Sequence, residues 1–249
     1  MSFEERIRKA SEVNKSRTVL ALDLEGPDPE QLAAKSKDLL QKVSEYICAV
    51  KINRQLVLSL GLRKGVDSIV KQAHQLSLPA IMDAKLNDVG HTNEFMMRSY
   101  VDAGFDAVIA SPIAGWEDGL DSVFRTATLH GKSVILLVYM SNPGAETFYS
   151  LMASQGHEKP RPIFELLTEK AIQWKAHGVV VGATKPEIIS RVRQLAGAEL
   201  AIYSPGVGAQ GGDAKKAIAA GSNYLIVGRA ICQAPDPAKA AIQFRDLVT

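Results

Sequence analysis

The chain has 249 residues, 46% hydrophobic and 22% charged, with 29 Lys and Arg against 27 Asp and Glu for a formal net charge of +2. That balance excludes a disordered chain and gives no electrostatic basis for coating nucleic acid or a membrane surface, while leaving room for a local basic pocket. Cys48 and Cys232 lie far apart with no C-x-x-C, no apolar run approaches the roughly 20 residues of a membrane span, and the N-terminal segment has no apolar signal core, so a reducing, cytoplasmic setting is expected.

In chain order, Ser2-Phe3-Glu4-Glu5 is a capping box that opens a helix with Phe3, Ile7 and Ala10 on one face. Residues 1–16 are expected to form an extra helix covering the bottom of the fold. Thr18 to Leu22 is a first apolar run. Asp28-Pro29-Glu30-Gln31 then supplies an N-cap acid, a proline at the first helical position and Gln three residues on. Leu32, Leu39, Leu40, Val43 and Ile47 follow at helical steps. Further apolar runs occupy Ile47 to Val50, Pro79 to Met82, Ala107 to Ala110 and Ser133 to Val138. The next interval is long, holding Ser141-Asn142-Pro143-Gly144-Ala145 and the polar stretch Ser154 to Arg161, and predicts a surface excursion near a site. After Gly178 to Val181, Thr184-Lys185-Pro186-Glu187 opens a helix as Asp28 does. Leu200 to Ile202 and Tyr224 to Val227 complete the set.

These runs barely alternate with polar residues, so both faces of each strand are buried, as in parallel sheets covered by helices. Eight such units over 249 residues, without a break in composition, predict one (β/α)8 TIM barrel domain over residues 1–249 rather than an open doubly wound sheet.

Active sites of such barrels lie at the C-terminal ends of the strands. The first run ends in Asp23, the second in Lys51, and the third in Asp83-Ala84-Lys85-Leu86-Asn87-Asp88. Side chains alternate along a strand, so Asp83 and Lys85 are expected on one side. One charge at a strand end is ordinarily a solvated loop residue. Five on three adjacent strands are costly unless paired, which makes function the better explanation. After the seventh run, Ser204-Pro205-Gly206-Val207-Gly208-Ala209-Gln210-Gly211-Gly212 is glycine-rich, and the eighth ends in Gly228-Arg229. Loops in those two places commonly bind phosphate through backbone N–H groups, with Arg229 adding a planar fork. Gly206 to Gly211 also spells G-x-G-x-x-G, but it follows the seventh strand rather than the first, which rejects a dinucleotide fold. Five scattered histidines (His74, His91, His130, His157, His177) read as surface or loop residues, and Trp116 and Trp174 as packing residues.

The D-x-K-x-x-D element Asp83 to Asp88, with Lys51 before it and Met140-Ser141-Asn142-Pro143-Gly144-Ala145-Glu146 and the loop from Ser204 to Gly212 after it, resembles the orotidine 5'-phosphate decarboxylases from about Thr18 to Ala230. The resemblance implies decarboxylation of orotidine 5'-phosphate (OMP) to UMP without metal or organic cofactor. It implies Lys85 as proton donor, Asp83 as the carboxylate beside the departing CO2, and Lys51 and Asp88 completing an alternating charge network. Asp88 and Thr92 would be lent across a homodimer interface. Asp23 would bind the ribose and Ser141 the pyrimidine. Gln210, Gly228 and Arg229 would hold the phosphate, with Pro205, Gly206, Val207, Gly208 and Gly211 in the closing loop. The chain departs from the family at Val89, more often Ile and expected in the same wall, and at Asn142, often His in close relatives. Two rivals stand beside this expectation: a metal-dependent sugar-phosphate decarboxylase or aldolase of the same superfamily, and a non-catalytic phosphosugar-binding protein. Lys51, where a metal-binding acid would stand in the first rival, and the intact Asp83 and Lys85 argue against them.

Overall fold

Eight parallel strands close into a barrel in the computed structural model, which describes residues 1–154 and 159–248. They are β1 (Thr18–Ala21), β2 (Ala49–Asn53), β3 (Ala80–Leu86), β4 (Ala107–Ala110), β5 (Ser133–Tyr139), β6 (Gly178–Val181), β7 (Ala201–Pro205) and β8 (Tyr224–Val227). Each pairs with its sequence neighbours, and β8 closes on β1 with Leu20 opposite Val227. Closure leaves the barrel sheet without a free edge, and side chains such as Val50, Met82, Leu136 and Val227 are fully buried.

The helix Pro29–Val43 starts as its sequence dictates. Asp28 accepts from the backbone N–H groups of Glu30 and Gln31, with the proline at the first position. Thr184 behaves differently from that expectation. Its helix begins at Pro186 behind Lys185, with no side-chain cap, and the Thr184 hydroxyl instead donates to the Ser141 carbonyl at 3.0 Å. A cap is thereby exchanged for a tie between the loops after β5 and β6. The long interval after β5 holds a short helix, Ala145–Tyr149, and a two-residue antiparallel pair of Met152–Ala153 with Arg161–Pro162. Of the polar stretch 154–161, residues 155–158, with His157, lie outside the described residues.

The N-terminal helix, Phe3–Asn14, has both halves of its capping box and buries Phe3, Ile7 and Ala10. It packs beneath the strand starts: Glu4 accepts from the Ser133 hydroxyl at 2.7 Å, and Arg6 pairs with Asp106 at 2.5 Å. Asp106 is 4% exposed and precedes β4. It also accepts from His74 at 2.9 Å and from the Ala80 amide at 2.8 Å. His177 accepts from the Val134 amide through Nδ1. His74 and His177 are therefore working parts of the barrel floor, not idle surface groups. Removing one partner of a buried ion pair leaves the others unpaired. Asp106→Ala should cost about 3 kcal/mol, a fall in Tm of roughly 6–12 °C for a domain of this size, read by thermal unfolding.

Trp116 and Trp174 lie against each other, tilted by 35° with ring centroids 5.2 Å apart, although Trp116 is 40% exposed. Among the described residues, no helix is long and apolar enough to cross a membrane.

Candidate active site

Polarity rises at the C-terminal mouth before the strands end. Lys51 lies inside β2, and Asp83 and Lys85 lie inside β3, so backbone pairing carries these charges rather than loops. Lys51 is 5% exposed and Asp83 9%. Such burial is tolerated because each charge is paired. The Lys51 ammonium donates to Asp83 Oδ2 at 2.7 Å and the Lys85 ammonium to Asp83 Oδ1 at 2.5 Å. One carboxylate is thus clasped from two sides by two cations.

Asp83 and Lys85 do share a side, though not by regular alternation. The register between β3 and β4 shifts between Met82 and Leu86, and Lys85 has φ +48°, in the left-handed region. A non-glycine residue rarely adopts that conformation without surrounding constraint. The irregularity turns the Lys85 side chain into the mouth, where it is only partly covered while Lys51 is buried.

Burial opposes the negative charge on Asp83, but the two ammonium groups outweigh it and hold the carboxyl down at about 2. Asp106, on the floor, is likewise held below its ordinary value, with His74 and the Ala80 amide outweighing burial. Depressed carboxyls contribute stability that is fully present above their unfolded-state value near 4 and is lost as pH falls through the native value. Denaturation midpoints should therefore fall between about pH 4 and pH 2, and Asp83→Asn should make that fall shallower.

These groups line a cavity of about 240 Å³. Asp23 and Asn53 stand on its rim from the ends of β1 and β2, and Asn53 donates to Asp23 at 2.5 Å. Ile109, Leu137, Met140, Val180 and Ile226 form apolar wall, with Ser141 beside them. Pro205, Gly206, Val207, Ala209, Gln210, Gly228 and Arg229 complete the lining. Two glycines there are dictated by close approach. Gly206 has φ +93°, and a Cβ on it would lie 2.8 Å from both Gln210 Oε1 and Ser141 Cβ. A Cβ on Gly228 would collide with the Asp23 carboxylate. Both glycines are thus required by close approach to neighbouring side chains, and Arg229 follows Gly228 as a cation on the cavity lining.

Of the residues singled out from sequence, Asp23, Lys51, Asp83, Lys85, Ser141, Pro205, Gly206, Val207, Gln210, Gly228 and Arg229 come together here. Asp88, Thr92, Gly208 and Gly211 do not line the cavity. Asp88 is exposed and accepts from the Val89 amide at 2.8 Å. Gly208 and Gly211 shape the loop instead, the Gly208 amide donating to the Gly212 carbonyl. Val89 is no part of the cavity wall: it is 49% exposed. Asn142 lines a neighbouring cavity with Glu146 and Lys185. Asn53, Gln55 and the apolar wall were not singled out, and Met140 was marked only as the start of the segment Met140 to Glu146. Asn53 was readable, since it follows Lys51 by two residues and so shares its side of the strand. Among the described residues, no three His, Cys, Asp or Glu side chains gather as a metal-ligand group.

The family model described as "Orotidine 5'-phosphate decarboxylase / HUMPS family" matches residues 16–244. The chain belongs to this family. An orotidine 5'-phosphate decarboxylase of Methanosarcina barkeri is 37% identical over 227 residues, which are 91% of this chain and 92% of the relative. The crystal structure of orotidine 5'-monophosphate decarboxylase from Methanocaldococcus jannaschii, complexed with the inhibitor BMP, matches with a TM-score of 0.80 and 29% identity, covering 94% of this chain and 99% of that one. Leishmania donovani UMP synthase matches with a TM-score of 0.86 and 27% identity over all of this chain. This chain spans 56% of that longer protein. In this member of the OMP decarboxylase family, Lys51 and Lys85 line one cavity together with Gln210, Gly228 and Arg229.

Proposed function

We propose that this protein decarboxylates OMP to UMP, the last step of UMP biosynthesis, using neither a metal nor an organic cofactor. The observation that carries this is the Lys51–Asp83–Lys85 array in one cavity with Gln210, Gly228 and Arg229. Breaking the bond to CO2 leaves its electron pair on an sp2 ring carbon, a localised carbanion with no electron sink. Preorganised positive charge is what such a site must supply. The Lys85 ammonium meets that need and then donates a proton to the carbon, giving UMP and a neutral amine that solvent reprotonates. Asp83 remains ionised beside the substrate carboxylate and favours its departure. Lys51, 2.7 Å from Asp83, stands where the metal-dependent rival would carry a metal-binding acid, and its positive charge would repel a metal ion. Asp23 binds the ribose and Ser141 the pyrimidine. Gln210, Gly228 and Arg229 anchor the phosphate, under the loop Pro205 to Gly208 with Gly211.

The active unit in this proposal is a homodimer in which Asp88 and Thr92 enter the partner's site. Their position off the cavity of their own chain supports it, as do the exposed apolar neighbours Val89 and Phe95, which a second copy would cover. A reducing, cytoplasmic setting is supported by Cys48 and Cys232, both free thiols.

Incubation with OMP should release UMP and CO2 in equal amounts. Orotidine, which lacks the phosphate, should be turned over with a kcat/KM lower by at least about 100-fold, since remote binding energy is used at the reacting carbon. Equal turnover of both compounds would remove the phosphate site from the mechanism.

A further inference from the structure

Asp23 is held from outside the charge array. β1 and β2 pair with Ala21 opposite Lys51, and just past the strand the chain turns, the Asp23 amide donating to the Ala21 carbonyl at 2.8 Å. On the other side, β2 pairs with β3 so that Asn53 is opposite Asp83. Asn53 therefore stands between two carboxylate-bearing positions of the mouth and is itself neutral. Its Nδ2 donates to Asp23 Oδ1 at 2.5 Å, and its Oδ1 accepts from the Leu56 amide at 3.2 Å as the N-cap of the helix Arg54–Leu60. These two bonds fix which end of the amide faces the carboxylate. The other Asp23 oxygen lies over Gly228.

We propose that Asn53 is a positioning residue: it ties the Asp23 carboxylate to the fixed frame of the helix Arg54–Leu60 and so sets the direction in which Asp23 meets the ribose hydroxyls. This rests on the role of Asp23 proposed above. Capping alone does not call for asparagine, since Ser, Thr or Asp supplies the acceptor as well. What the amide adds is a donor to Asp23, without a further negative charge between Asp23 and Asp83. An acid in its place would crowd three carboxylates along three strand ends.

Asn53→Asp keeps the oxygen that caps Leu56 and removes the donor while adding one negative charge; Asn53→Ser also keeps a cap and removes the donor without that charge, so the two variants together separate the roles. Asn53→Asp should melt within a few degrees of wild type. Its kcat/KM for OMP should fall about tenfold or more at neutral pH, as expected for loss of a charge-assisted hydrogen bond. The deficit should shrink as pH falls, because a proton shared between the introduced carboxyl and Asp23 restores the bond. In an Asp23→Ala background the same change should cost much less, since the group it positions is gone. Asn53→Ser goes through the same cycle, and carries the test alone if Asn53→Asp fails to fold. Equal losses in both backgrounds, with a pH profile of wild-type shape, would overturn the proposal and leave Asn53 as a helix cap. Wild-type turnover of OMP distinguishes the two levels: its absence defeats the proposed function, whereas its presence with additive losses defeats only the role of Asn53.

Discussion

Lys85→Ala should lower kcat by about 10,000-fold or more while UMP binding remains measurable. Lys85 is the more open of the two cations holding Asp83, and its ammonium is partly exposed toward the cavity. The substitution removes both the charge that stabilises the carbanion and the proton that quenches it. Asp83 keeps Lys51 at 2.7 Å, so its carboxylate stays paired and the fold survives. A group used only in the transition state lowers kcat rather than ground-state affinity. Arg229, which lines the same cavity and is proposed to hold the phosphate, should behave in the opposite way, with Arg229→Ala acting chiefly on KM for OMP. Near-native kcat in Lys85→Ala would strip Lys85 of its role.

Mixing inactive Lys85→Ala and inactive Asp88→Ala chains should restore activity, approaching about a quarter of the wild-type value per total site for random equal mixing in a closed two-fold dimer. Lys85 faces the cavity of its own chain, whereas Asp88 is exposed outside it. If Asp88 serves the partner's site, a mixed dimer has one site with both defects and one site with neither. If each chain supplies its own Asp88, every site keeps a defect and mixing restores nothing. Subunit exchange, confirmed by native mass spectrometry, makes a null result decisive against the shared site.

The strands were legible because burial on both faces writes an unbroken apolar run, as in Ala107–Ala110 and Gly178–Val181, which the structure matches residue for residue. Strand ends at the mouth were not. Lys51, Asp83 and Lys85 lower the local hydropathy, yet the backbone goes on pairing through them to Asn53 and Leu86. Hydropathy reports burial of side chains, whereas strands end where hydrogen bonding ends, and a functional mouth separates the two. The charged members of the site stood out because a buried charge needs a reason. Asn53 carries no charge and went unmarked. Alternation put Asp83 and Lys85 on one side, but the register shift and the left-handed backbone at Lys85 that achieve it come from the barrel's packing and leave no mark in composition. Asp106 was hidden for a similar reason. It stands just before an apolar run, where an acid reads as a loop residue, and only the folded floor brings Arg6 and His74 to it.

The most direct measurement is conversion of OMP to UMP by the purified protein after exhaustive chelation, with EDTA kept in the assay. Charge supplied by Lys51 and Lys85 around Asp83 predicts full turnover in EDTA and no gain on adding Mg2+. Activity abolished by chelation and restored by Mg2+, or no release of CO2 under either condition, would contradict it.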